Sequence, residues 1–191
     1  MTPLHNLFPW AAEVPASWLS ILSAVQTATG LTPVLAGGAL RDHFHGVPVK
    51  DLDIFLPHTE GIVRELRGLF KDMGFECFQS IGMSCDGLND CRVVLGFRDR
   101  AGLLLDVNLI FLDPETSRTP EEIVGRIDFG ICQIGVFFNE LGRVEFFYTD
   151  AFVGDVAKLT FTLTRQHDRE RSLRRFDRLS DKYPYHRLVV S

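Results

Sequence analysis

Two aspartates separated by a single residue, Asp51 and Asp53, lie in an apolar stretch that also holds Leu52, Ile54 and Leu56. Because side chains alternate along a strand, both carboxylates would project from one face while Leu52 and Ile54 enter the core. Two anions held side by side repel each other unless a cation lies between them. Hard divalent ions such as Mg²⁺ prefer oxygen ligands and usually bring substrate phosphates with them. The spacing therefore predicts a divalent-metal site on a strand.

A pair of glycines precedes this strand and adds a second chemical feature. Gly37 and Gly38 follow the apolar run 33–36, which predicts a strand, and come before a short predicted helix over 39–45. A glycine turn between strand and helix lets phosphate oxygens approach the backbone and meet the N–H groups at the helix start. Arg41, one turn into the helix, would add positive charge. The segment therefore predicts a phosphate cradle beside the metal site.

A third carboxylate is needed if two metal ions, roughly 3.5 to 4 Å apart, are to clamp the attacking and leaving oxygens of a phosphoryl transfer. Asp106 is the candidate, because it lies in the apolar stretch LLLDVNLIFL, residues 103–112, where folding alone does not explain a charge. Alternation places Asp106 on the same face as Asn108. We therefore expect Asp51, Asp53 and Asp106 to meet at one site.

The order of these motifs, GGALRD, then DLDI, then a lone aspartate in an apolar strand, resembles the DNA polymerase beta-type nucleotidyltransferase superfamily. Within it the sequence is most similar to the head domain of CCA-adding enzymes and bacterial poly(A) polymerases, and it also resembles small predicted nucleotidyltransferases of phages. The resemblance implies an α/β (α+β) fold with a mixed β-sheet, flanking helices and a C-terminal helical segment. It implies that Gly37 and Gly38 bind the triphosphate, and that Asp51, Asp53 and Asp106 hold two Mg²⁺ ions, with Mn²⁺ as an alternative.

Two later segments resemble the same family more loosely. Residues 126–133, RIDFGICQ, are similar to its RRDFTINA motif, which implies a nucleotide-binding role for Asp128, although Gly130 and Cys132 replace a threonine and an asparagine. Residues 167–174, HDRERSLR, resemble EDPLRILR, whose acid and arginine pair with the incoming base. That likeness implies base recognition by Asp168 and Arg171, and it extends to Arg174. The alternative for Asp128 is a core ion pair with Arg126. Asp42 is expected to be structural, either pairing with Arg41 or capping the turn.

Composition predicts one enzyme-sized domain. The chain has 191 residues, 46% of them hydrophobic, and a net charge of −5, so any contact with nucleic acid must be local. We expect a single domain over 1–191, with its core at about 33–150 and an arginine-rich helical segment at about 165–181. The sequence has no membrane-spanning run, no secretory signal and no CxxC pair among Cys77, Cys85, Cys91 and Cys132, which predicts a cytoplasmic protein with reduced thiols.

Hydrophobic periodicity and turn residues predict the remaining elements. Helices are expected over 17–29 and 59–73 and from a capping box at Thr119, with strands at 75–79, 91–98 and 103–112 and a hairpin of 129–138 with 143–149. On the C-terminal helix, arginines could meet a triphosphate or an RNA strand, or could form a solvated face.

These features predict a metal-dependent nucleotidyltransferase that moves a nucleoside monophosphate from an NTP to an acceptor hydroxyl and releases pyrophosphate. The expected acceptor is an RNA or tRNA 3′ end, with a protein or a small molecule as alternatives. A different class of function is also open, in which the same fold binds nucleotide or RNA without turnover, as an antitoxin or a phage-encoded inhibitor would, with a protein partner.

Overall fold

The computed structural model describes residues 13–82, 91–115, 119–165 and 169–190. The helices in these ranges are α1 (Ala16–Thr29), α2 (Gly38–Phe44), α3 (Ile62–Asp72), α4 (Pro120–Gly125), α5 (Asp150–Lys158) and α6 (Arg169–Ser180), and a 3-10 turn spans Gly130–Cys132. The strands are β1 (Val34–Ala36), β2 (Asp51–Pro57), β3 (Phe75–Gly82), β4 (Cys91–Asp99), β5 (Asp106–Leu112), β6 (Ile134–Phe138), β7 (Val144–Tyr148), β8 (Thr160–Leu163) and β9 (Arg187–Val190).

Seven of these strands form one mixed sheet in the order β3-β4-β5-β2-β1-β6-β7, and β8 and β9 pair separately. Within the large sheet β2 and β5 run parallel, whereas the other neighbouring strands are antiparallel. The expected fold class, a mixed α/β sheet with flanking helices and a C-terminal helical segment, is confirmed.

Each face of the sheet is covered by its own hydrophobic cluster. One cluster joins α1 and α3 to the sheet and buries Leu52 and Ile54 of β2, which are 1% and 0% exposed. The second cluster lies on the opposite face and contains Phe55 together with residues of α4 and the C-terminal segment. Asp51 and Asp53 share the face of Phe55, as the predicted alternation requires. The carboxylates therefore lie on the side of the sheet that the C-terminal segment covers.

Several predicted elements are confirmed with small shifts in their ends. Thr119 begins α4 with the expected capping box, in which Thr119 and Glu122 exchange hydrogen bonds. The hairpin of β6 and β7 turns where predicted, because the Asn139 side chain accepts N–H bonds from Leu141 and Arg143. The helix expected from residue 59 begins at Ile62 instead, since the preceding Gly61 adopts a left-handed φ of 81°.

The strand predicted over 103–112 is shorter than expected, because β5 begins at Asp106. The residues before it belong to a loop, in which the Asp99 carboxylate accepts N–H bonds from Ala101, Leu103 and Leu104. These bonds take up backbone donors that a strand would have offered to its neighbour. Leu103 is consequently 84% exposed, although its apolar character had favoured a place in the strand.

The strand predicted over 129–138 is also wrong in its first half, where Gly130–Cys132 forms the 3-10 turn. The cause is the buried carboxylate of Asp155 in α5, which accepts the N–H of Ile131 at 2.7 Å. The same carboxylate accepts bonds from the hydroxyls of Thr160 and Thr162 and from the backbone of Thr162. Asp155 therefore ties the 3-10 turn to the start of β8.

The elements α5, β8 and β9 were not predicted, and β8 and β9 have only four residues each and form a separate two-stranded sheet. Among the described helices, none is long and apolar enough to cross a membrane. Cys77, Cys91 and Cys132 are free thiols, whereas Cys85 lies outside the described residues.

We predict that Asp155→Ala lowers the free energy of unfolding by about 3 kcal/mol or more, because it leaves buried donors without an acceptor. Asp150→Ala is the control on the same helix, and its exposed first-turn carboxylate should contribute no more than about 1 kcal/mol. Urea denaturation followed by circular dichroism measures both. Equal losses in the two variants would contradict the role of Asp155.

Candidate functional site

A cleft of about 450 Å³ opens on the sheet face that carries the two aspartates. Its floor includes Asp51 and Asp53 of the sheet, and the turn at Gly37 and Gly38 and helix α6 contribute its walls. Phe55, Ile110, Ile127 and Leu179 add an apolar part to the lining. The glycine pair, the aspartates and the arginine-rich helix, which are far apart in sequence, thus meet in one place.

The register of β2 with β5 decides which polar residues stand next to each other. Asp51 is opposite Asp106, and Asp53 is opposite Asn108. The Asn108 amide donates to a carboxylate oxygen of Asp53 at 2.9 Å, and Asn108 also lines the cleft. Sequence reasoning used Asn108 only to mark a strand face and missed this contact, which alternation together with the register could have indicated.

Asp106 is beside Asp51 as predicted, but its carboxylate is turned toward a neighbouring arginine. Arg98 of β4 donates to both oxygens of Asp106, at 3.0 and 2.7 Å. These hydrogen bonds hold the pKa of the Asp106 carboxyl below its ordinary value. Asp106 is not among the residues that line the cleft.

Only part of a metal site is visible in the arrangement of these side chains. Across residues 13–82, 91–115, 119–165 and 169–190, no three carboxylate, imidazole or thiol groups are placed so that they could hold one ion. The chemistry of the donors nevertheless suits a hard divalent ion, because Asp51 and Asp53 offer carboxylate oxygens on one face. The assignment of Asp51, Asp53 and Asp106 as metal ligands stays a prediction.

The glycine turn lies where the phosphate cradle was expected. Gly37 has a φ of 85°, which L side chains rarely adopt, and its N–H donates to the carbonyl of Ile134 at 3.1 Å. Gly37 therefore shapes the turn. Gly38 begins α2, and the first N–H groups of a helix have no acceptor within the helix. Any N–H group offered to a phosphate at this turn comes from Gly38 onward.

Arg41 lines the cleft, but its guanidinium is already held by neighbours. It is 3% exposed and donates to Asp42 at 2.8 Å, to the Tyr183 hydroxyl at 3.2 Å and to the Cys132 sulfur at 3.1 Å. Burial alone would lower the pKa of Arg41, but Cys132, Asp42 and Tyr183 outweigh it and raise that pKa. The expected pairing of Asp42 with Arg41 is confirmed, and Arg41 positions α2 in addition to charging the cleft.

Asp42 also binds the C-terminal segment to α2. Its carboxylate accepts from the Tyr183 hydroxyl at 2.6 Å and from the Lys182 ammonium, which also donates to the Pro48 carbonyl. Burial and the bond to Asp42 raise the pKa of Tyr183, so the hydroxyl remains a donor at neutral pH. Nothing in the local sequence around Lys182 and Tyr183 signalled this contact, because Asp42 is about 140 residues away.

The arginines of α6 divide between the cleft and the outer surface. Arg171, Arg175 and Arg178 line the cleft, whereas Arg174 lies outside this lining and forms a 3.7 Å pair with Glu170. The structure therefore brings Arg171 to the site and does not bring Arg174 there. Asp168, predicted to read the base with Arg171, lies outside the described residues.

Asp128 lines the cleft and is bonded from α6. Arg175 donates to it at 2.8 Å and Ser172 at 2.9 Å, and the Phe129 N–H donates to it at 3.0 Å. Burial alone would lower the pKa of Arg175, but Asp128 and other acidic groups raise it. The role of Asp128 toward nucleotide stays a prediction, and its contacts show that it anchors the wall of the cleft.

The two departures from the family motif have physical reasons. A Cβ atom at Gly130 would lie 2.7 Å from a carboxylate oxygen of Asp155, so a threonine does not fit there without rearrangement. Cys132 is fully buried and accepts from Arg41. Both positions serve packing around Asp155 and Arg41.

By sequence, the chain matches no protein-family model and no curated protein. Solved structures match it by fold. A tRNA-processing enzyme in an apo form superposes with a TM-score of 0.65 and 15% identity, over 93% of this chain and 45% of that chain. A CCA-adding enzyme in complex with CTP superposes with a TM-score of 0.65 and 13% identity, over 97% of this chain and 42% of that chain. The Thermotoga maritima CCA-adding enzyme complexed with tRNA superposes with a TM-score of 0.63 and 12% identity, over 97% of this chain and 42% of that chain.

The fold is therefore that of a nucleotidyltransferase head domain. More particularly, the solved structures that share it include CCA-adding enzymes and a tRNA nucleotidyltransferase. The chain spans less than half the length of these structures. At such low identity the likeness establishes the fold, and what the chain does has to be argued from its cleft.

We predict that Tyr183→Phe lowers the free energy of unfolding by about 1 to 3 kcal/mol, because it removes only the hydroxyl between Arg41 and Asp42 and keeps the ring. Tyr185→Phe is the matched control, since Tyr185 is 85% exposed and should lose almost nothing. Thermal denaturation at neutral pH gives both values. An unchanged free energy of unfolding in Tyr183→Phe would show that the hydroxyl does not fasten the C-terminal segment.

Proposed function

We propose that this protein is a nucleotidyltransferase that moves a nucleoside monophosphate from an NTP to an acceptor hydroxyl, with release of pyrophosphate. The acceptor we favour is the 3′ end of an RNA, tRNA included. The proposal combines the shared fold, whose solved examples include complexes with ATP, CTP and tRNA, with the side chains of this chain's own cleft.

One observation carries the proposal, namely that carboxylates and guanidinium groups line the same cleft. Asp51 and Asp53 lie on the floor, and the guanidinium groups of Arg171, Arg175 and Arg178 lie on the wall of the same cleft. The phosphates of a triphosphate and of an RNA end suit this lining, since their anionic oxygens match the arginines and their cations match the carboxylates.

Asp51 and Asp53 would hold divalent cations, Mg²⁺ or Mn²⁺, and Asp106 would join them on the acceptor side. Bound there, such ions supply charge neutralisation of the phosphates and activation of the acceptor oxygen. The chain's own contribution is orientation. Asn108 fixes the Asp53 carboxylate through its 2.9 Å bond, and α6 offers guanidinium groups to the phosphate tail.

A second function, nucleotide or RNA binding without turnover, is favoured by a different observation. Arg98 holds both oxygens of Asp106, and within the described parts of the chain no trio of ligands is preassembled. A site that binds phosphates but lacks its third carboxylate would retain ligand without reacting. A partner protein would then use the bound state, and metal-dependent incorporation of nucleotide separates the two functions.

We predict that Asp51→Asn and Asp53→Asn each abolish incorporation of labelled NMP into RNA, because each removes a carboxylate from the cleft floor. The fold should persist, with thermal stability in the absence of Mg²⁺ level or higher, since carboxylate repulsion is relieved. Incubation with each labelled NTP, Mg²⁺ and total cellular RNA or protein measures activity. Asp113→Asn, outside the cleft, is the control. Near-wild-type turnover in either cleft variant would refute the proposed site.

We predict that Arg178→Gln weakens binding of a short single-stranded RNA uniformly across sequences. The slope of the logarithm of the binding constant against the logarithm of the salt concentration should become shallower, by the amount that corresponds to the loss of about one phosphate contact. Arg174→Gln on the same helix lies outside the cleft and should change neither. Fluorescence anisotropy over a range of salt concentrations provides the measurement. Identical slopes for wild type and both variants would mean that α6 is a solvated face.

A further inference from the structure

The sheet face that carries the carboxylates continues beyond the cleft onto β4 and β3. Across β2, β5 and β4 the register forms a row of Asp53, Asn108 and Gly96. Residues in register point to the same face, so the missing side chain of Gly96 leaves a gap beside Asn108. This gap adjoins the cleft on the side where Asp106 lies.

The ring of Phe78 from β3 fills the gap over Gly96. A Cβ atom at Gly96 would lie 2.8 Å from Cζ of that ring, so a glycine is needed for the ring to stay where it is. The β3–β4 register shifts between Cys77 and Gln79, at the position of Phe78. The bulge re-aims the side chain. Phe78 is nevertheless 47% exposed, so part of its ring surface is available to a ligand.

The guanidinium of Arg98 lies over this ring. Its guanidinium carbon lies 4.9 Å from the centroid of the Phe78 ring, and both oxygens of Asp106 accept its hydrogen bonds. The bidentate bond fixes the plane of the guanidinium, while 63% of the Arg98 side chain remains exposed. We call Phe78 and Arg98 together the aromatic platform.

We propose that the aromatic platform binds the terminal nucleobase of the RNA acceptor by stacking, an inference that rests on the proposed function. Exposed aromatic rings and arginine planes are the groups on which proteins stack unpaired bases, and the positive charge of Arg98 suits the adjacent phosphate. The platform also adjoins Asp106, the carboxylate assigned to the acceptor side.

The distance between the aromatic platform and the aspartates favours the acceptor end of an RNA, rather than the incoming nucleotide, as the ligand of the platform. Neighbouring strands are about 4.8 Å apart, so Gly96 lies about 10 Å from Asp53, two strands away. The triphosphate of the incoming nucleotide has its partners in the cleft itself, where arginines of α6 and the two aspartates belong to one lining. A base on the platform would therefore leave its sugar hydroxyl directed toward the carboxylates.

The test uses two short single-stranded RNAs that differ only in the presence or absence of the 3′-terminal base. Binding is measured by fluorescence anisotropy without NTP or metal, for wild type, Phe78→Leu and Phe78→Tyr. We expect Phe78→Leu to weaken binding of the intact RNA by about tenfold and to leave binding of the abasic RNA unchanged. Phe78→Tyr should restore the wild-type affinity, because it restores the ring.

Two matched controls separate stacking from general effects. Tyr185→Leu removes an exposed aromatic away from the cleft lining, and Arg92→Gln removes an arginine of β4 that pairs with Asp113 instead of Asp106. Neither should alter the difference between the two RNAs, whereas Arg98→Gln should reduce it. The proposal is overturned if wild type binds both RNAs equally, or if Phe78→Leu weakens both to the same extent.

The outcome is distinguishable from failure of the proposed function. If the terminal base strengthens binding through Phe78 but no NTP is incorporated into any RNA, the platform stands and the transferase proposal fails. If RNA is extended with unchanged KM and kcat in Phe78→Leu, the transferase proposal stands and the platform is overturned.

Discussion

The parallel pairing of β2 with β5 is the constraint on which the site depends. In-register pairing sets Asp51 beside Asp106 and Asp53 beside Asn108, and a shift of β2 by one residue would send Asp51 and Asp53 to the opposite, fully packed face. That face holds Leu52 and Ile54, whose burial makes such a slip very costly. The hydrophobic core thus fixes the alignment of polar groups on the other side of the same strands.

The cleft has a second requirement, which is the attachment of the C-terminal segment. Two acids of the cleft region act as anchors, because Asp42 is bonded by Tyr183 and Lys182, and Asp128 is bonded by Arg175 and Ser172. Buried carboxylates that have several donors are stabilised only when all the donors are in place. The wall formed by α6 is therefore fastened at both ends, and its guanidinium groups are presented from a fixed helix instead of a loose tail.

The sequence predicted those features whose cause is local or periodic. The alternation around Asp51, the glycine turn before α2 and the capping box at Thr119 each depend on neighbouring residues, and each was found where expected. Features that depend on partners far along the chain were missed. The 3-10 turn at Gly130–Cys132 needs Asp155, the late start of β5 needs the Asp99 loop, and the tie between Asp42 and Tyr183 spans about 140 residues. The bond from Arg98 to Asp106 was also missed, because it depends on the register of β4 with β5 and on β5 beginning only at Asp106.

The distribution of charge around the cleft has a kinetic consequence. The chain carries a net charge of −5, yet the α6 wall gathers arginines at a single concave surface. Field lines concentrate in such a cleft, so a polyanion is drawn toward it while the remaining acidic surface repels the rest of the same molecule. An extended polynucleotide lying flat on the protein would meet that repulsion along its length, whereas one entering by its end would meet it over a few residues. For the proposed RNA acceptor, this charge distribution would favour chain ends over chain interiors before any base or hydroxyl is touched.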